Sequence, residues 1–98
     1  MITIDLKIYQ GSTRGFSDIR SETVEPSISA IRAAVKRLET EYPGTLGYWV
    51  FLDGIRKDQI NSVNKITLAI KDFEGRGKKD RAADWNQVLI SWRNQNNV

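Results

Sequence analysis

The residues best equipped for binding chemistry lie in one short run, Gly75-Arg76-Gly77-Lys78-Lys79-Asp80-Arg81. Arg76, Lys78, Lys79 and Arg81 place four cations within six positions. The neighbouring glycines let a backbone approach a phosphate, and an expected helix N-terminus follows. This is a pattern for gripping nucleic acid or another polyanion. The same run also reads as a solvated loop whose lysines oppose aggregation, which is the simpler account. The GxxxxGK[ST] spacing of nucleotide hydrolases is absent.

Carboxylates form a second set. Asp53, Asp58, Asp72, Glu74, Asp80 and Asp84 gather around the later connections of the chain. Asp72, Glu74 and Asp53 together would be a magnesium set of the nuclease type. Acidic residues at strand ends and helix starts serve as caps and turn formers in most proteins, and no metal motif organises these. The chain has no histidine and no cysteine, which excludes Ser-His-Asp and Cys-His nucleophiles and the usual zinc ligand sets. The expectation is therefore a protein that is not an enzyme, with no metal and no cofactor.

Aromatics supply the third set: Tyr48, Trp49 and Phe51 in one run, and Trp85 and Trp92 further on. Aromatics near cations can stack on bases. Trp85 and Trp92 recur at helical spacing with Val88 and Leu89, however, and that stripe is expected to face a core. A fourth set, Arg14 in the Gly11–Gly15 turn with Arg20, Arg56 and Lys57, would flank one end of a sheet beside the later basic run if the strands pair suitably. Scattered surface charge is the competing account.

The elements that position these groups follow from periodicity. Ile2, Ile4, Leu6 and Ile8 alternate with Thr3, Asp5, Lys7 and Tyr9, the pattern of a strand with one buried face. After the Gly11–Gly15 turn, residues 16–24 are expected to return as a second strand, although Phe16 and Ile19 break the alternation. Ile28, Ile31, Val35, Leu38 and Tyr42 make a helical stripe, with Pro26 in its first turn and Pro43-Gly44 as its stop. The run Gly47-Tyr48-Trp49-Val50-Phe51-Leu52 predicts a central strand buried on both faces, closed by Asp53-Gly54. Residues 55–61 read as a polar connection holding one helical turn. Ile66, Leu68 and Ile70 alternate with Lys65, Thr67, Ala69 and Lys71, which predicts a further half-buried strand. Asp80 is expected to cap a last helix over residues 81–94.

The resulting expectation is a single α+β domain over residues 1–98. It is a two-layer sandwich of a three- or four-stranded, mainly antiparallel sheet and two helices, in the order β-(β)-α-β-β-α. No apolar run is long enough for a membrane span, and the N-terminal segment lacks the pattern of a signal peptide, so a cytoplasmic protein without a membrane partner is expected. The net charge of +3 gives only weak attraction to acidic partners.

Both helices require one sheet face, which leaves the other for a partner. The expected function is a small protein-binding module of inhibitor, immunity or adaptor type, with Tyr9, Arg14, Tyr48 and Trp49 as its contact residues. Self-association into a homodimer through the same face is a variant of this reading. The alternative is nucleic-acid binding through Arg76, Lys78, Lys79 and Arg81. In size and in lacking catalytic chemistry the chain resembles small accessory proteins carried by phages and other mobile elements.

Overall fold

A computed structural model describes residues 1–10, 15–42 and 47–96 of the chain. Four strands, β1 (Ile2–Gln10), β2 (Gly15–Val24), β3 (Tyr48–Leu52) and β4 (Ile55–Arg56), form one antiparallel sheet in the order β2-β1-β3-β4. Three helices accompany it: α1 (Ile28–Glu41), α2 (Val63–Gly75) and α3 (Lys79–Asn96). The α+β sandwich expected from the sequence is present, with a third helix in place of one strand.

The alternation of β1 does what period two requires. Ile2, Ile4 and Leu6 are buried and pack in one cluster with Val50 and Leu52 of β3, and the register pairs Ile4 with Leu52 and Leu6 with Val50. In β2 the broken alternation has a local cause. Arg20 pairs with Leu6 but Asp18 pairs with Lys7, so Ile19 is the extra residue of a β-bulge. The bulge resets which residues face the helices. Ahead of it in space, Arg20 and Glu22 reach Glu41 and Arg37 of α1; beyond it, Asp18 pairs with Lys7 at 3.5 Å.

Ser27 is the N-cap of α1, its side chain accepting a hydrogen bond from the Ala30 amide at 3.2 Å. Pro26 therefore stands just outside the helix rather than in its first turn. Ile28, Ile31, Ala34, Val35 and Leu38 bury the predicted stripe.

The strand expected around Ile66, Leu68 and Ile70 is instead helix α2. Ser62 caps it by accepting from the Lys65 amide at 3.3 Å. Ile66, Ala69, Ile70 and Phe73 are buried at i, i+3, i+4 and i+7, while Leu68 is 61% exposed. Ile66 and Ile70 fit both periods; Ala69 and Phe73 decide between them. The predicted basic loop is also corrected. Arg76, Gly77 and Lys78 form a tight link between two helices, with Gly77 at φ +73°. The Lys78 amide donates to the Phe73 carbonyl at 2.8 Å and the Gly77 amide to that of Glu74 at 3.0 Å, the pattern of a Schellman C-cap. Helix α3 begins at once at Lys79, with Asp80 inside its first turn rather than capping it. Trp85, Val88 and Leu89 are buried as the stripe predicts, and Trp92 is half-buried.

β3 and β4 are joined by Asp53-Gly54, both at positive φ (48° and 85°), the two-residue turn that suits a twisted hairpin. The connection after β3 thus carries two strand residues and a 3-10 turn, Lys57–Gln59. All three helices bury their apolar residues against the sheet face of Ile4, Leu6, Val50 and Leu52, or against one another. Among the described residues, no second layer covers the opposite face.

Candidate functional site

The face turned away from the helices is built by odd-numbered residues of β1 and β3. Lys7 pairs directly with Trp49 and Asp5 with Phe51, while the amide of Tyr9 donates to the Gly47 carbonyl at 3.2 Å. Tyr9 and Trp49 are therefore diagonal neighbours on one face, a separation of about 7–8 Å between backbones that aromatic side chains can span. Tyr9 is 51% exposed and Trp49 37%.

Cations lie across this aromatic surface. The guanidinium of Arg56 sits 4.3 Å from the centre of the Trp49 ring, and the ammonium of Lys7 is 5.1 Å from that of Phe51. Phe51 is only 9% exposed although it stands outside the main core. Arg56 reaches Trp49 because the two-residue turn fixes the hairpin register at Phe51–Arg56. It also meets Asp58 at 3.4 Å. Among the described residues its buried Nε has no hydrogen-bond partner.

Of the four contact residues expected from the sequence, this surface unites Tyr9 and Trp49. Tyr48 points to the other side of the sheet, where its ring meets Tyr42 edge-on at 5.3 Å. Arg14 lies outside the described residues. Lys7, Phe51 and Arg56 complete the surface; none is among the expected contact residues, although Phe51 stands in the aromatic set and Arg56 in the set around Arg14. The signal for Arg56 was present in Asp53-Gly54, a strong hairpin pair that puts residue 56 opposite residue 51.

The other candidate sets are not gathered on this face, but Lys78, Lys79 and Arg81 of the basic run line one hollow at the start of α3. Arg76 pairs with Asp72 at 3.1 Å, and Lys78, Lys79 and Arg81 are exposed along the start of α3. The early turn of the fourth set lies outside the described residues, and the helix that follows the basic run contacts the N-terminal end of β1. Asp84 of α3 binds the amino group of Met1 at 2.8 Å, at the opposite end of β1 from Gln10. Arg20 and Lys57 are occupied by Glu41 and Glu39.

The carboxylates are similarly separated. Asp53 is buried, 7% exposed, accepting from the Thr3 amide at 2.9 Å and from the Trp85 indole at 2.8 Å. Asp72 and Asp58 pair with their own neighbouring arginines. Among the described residues, no three acidic groups stand close enough to hold a metal ion. Nor is any helix of these residues long and apolar enough to cross a membrane.

Comparison with protein-family models, curated proteins and solved structures finds no match to this chain.

Proposed function

We propose that the protein is a non-enzymatic protein-binding module whose contact surface is the outer sheet face of Lys7, Tyr9, Trp49 and Arg56. The observation that carries this reading is the exposed Tyr9 and Trp49 on one face, with Arg56 stacked on Trp49. Tyrosine, tryptophan and arginine are the residue types that dominate binding energy at protein interfaces, because they bury large areas while losing few rotamers. The sheet beneath holds them with little freedom to lose, which lowers the entropic cost of association. An inhibitor, immunity protein or adaptor would use such a rigid face, and a second copy of the chain is the simplest partner that fits it.

The test compares the wild type with a Tyr9→Ser/Trp49→Ser double variant by light scattering and by capture of partners from the source cell. The double variant should keep the native circular dichroism spectrum. The expected result is a salt-resistant dimer or a captured protein that the double variant loses. A wild-type monomer with no captured protein, or capture undiminished in the variant, overturns the reading. Unfolding of the variant would place these side chains in the core and would equally defeat it.

A further inference from the structure

On the helical side of the sheet, α1 does not close against the segment that follows β4. A groove of about 590 Å³ runs between them, floored by Ile31, Val35, Leu52 and Ile60 and ended by the ring of Trp92. A second hollow of about 350 Å³ continues it towards Tyr42 and Tyr48. Glu39 and Lys57 line both and pair with one another, so a single ion pair bridges the groove.

The rim is electrically uneven. Glu39 is neutralised by Lys57, and Asp58 pairs with Arg56. Arg32 and Lys36, one helical turn apart on the α1 wall, make no ion pair among the described residues. The Arg32 guanidinium lies 4.9 Å from the centre of the Trp92 ring, which holds it at the end of the groove. An apolar floor beside two uncompensated cations complements one kind of molecule, an apolar body bearing an acidic group. The volume is that of a small-ligand site, which typically spans about 300–1,000 Å³.

We infer that this groove binds a small amphipathic carboxylate, its chain or ring lying over Ile31, Val35 and Leu52 and its carboxylate held by Arg32 and Lys36. The groove itself shares no lining residue with the proposed contact surface, although the hollow that continues it reaches Trp49, so the two readings are told apart at Arg32 and Tyr9. Both cations are exposed, and their replacement leaves the core intact.

The test is an amide-resolved NMR titration with sodium octanoate, with 1-octanol and octylammonium chloride as matched controls. Octanoate should produce saturable shifts along α1, in residues 57–61 and at the Trp92 indole, and it should bind more tightly than either control. An Arg32→Gln/Lys36→Gln variant should bind octanoate about tenfold more weakly, as expected for losing two rim charges, while its affinity for octanol stays the same. Octylammonium binding as tightly as octanoate, shifts centred on Tyr9 and Trp49, unsaturable shifts, or undiminished binding by the variant would each overturn the inference. The comparison of octanoate with octanol on the wild type decides the matter even if the variant fails to fold.

Discussion

Asp53 turns the chain at positive φ while its carboxylate ties the first residues of β1 to α3 through the Thr3 amide and the Trp85 indole. Its removal strands two donors, one of them on Trp85, the largest of the fully buried side chains. Asp53→Ala is therefore expected to lose roughly 2–6 kcal/mol by urea denaturation, at about 1–3 kcal/mol for each of the two unsatisfied groups. Arg56 presents the opposite case, since its side chain is partly exposed and its stacking on Trp49 is a surface contact. Arg56→Met should leave stability within about 0.5 kcal/mol of the wild type while weakening partner capture. A loss of folding stability without loss of capture would assign Arg56 to the scaffold instead.

At the scale of elements, the two helices of the C-terminal half make separable predictions. Leu68→Glu should change stability by no more than about 0.5 kcal/mol, because Leu68 faces water. Ile70→Ala should cost about 2–5 kcal/mol, because it empties the buried side. Thermal melts of the pair distinguish helix from strand, since a strand would bury both residues on one face. Gly77→Ala should cost about 1 kcal/mol by forcing a side chain into positive φ at the Schellman turn.

These elements also show what the sequence made legible. β1 and α1 carry clean periods over nine and fourteen residues, and both folded as read. For α2 the apolar set was ambiguous: Ile66 and Ile70 serve either period, and the misleading Leu68 is exposed. Ser62, a capping residue three positions before Lys65, was the overlooked signal. The contact surface was half legible. The alternation of β1 placed Tyr9 and that of β3 placed Trp49 on faces without deciding that those faces coincide. That depended on the antiparallel register of two strands separated by about forty residues, a tertiary fact that local pattern does not contain.

For the molecule as a whole, the described residues form one apolar core and two outward surfaces of different chemistry. The aromatic sheet face offers area with balanced charge, whereas the helix-side groove offers a small apolar volume beside unbalanced cations. Partner capture through the first should persist at high salt, since area burial dominates there. Octanoate affinity at the second should fall as salt screens Arg32 and Lys36. Parallel titrations at low and high ionic strength separate the two, and equal salt sensitivity would argue against their division of labour.

The position of β1 carries one more consequence, for the order of assembly. Although it precedes the other elements, it lies inside the sheet, with β2 following close behind it in sequence and β3 reached only after α1. The β1–β2 hairpin is a local event on a timescale of about 1–10 μs, whereas docking of β3 must close a far longer stretch of chain. Until it does, the growing polypeptide presents the inward edge of β1 with no neighbour. A nascent chain halted before Tyr48 would thus be an open-edged hairpin with a dangling helix, a natural client for chaperones and a hazard for aggregation.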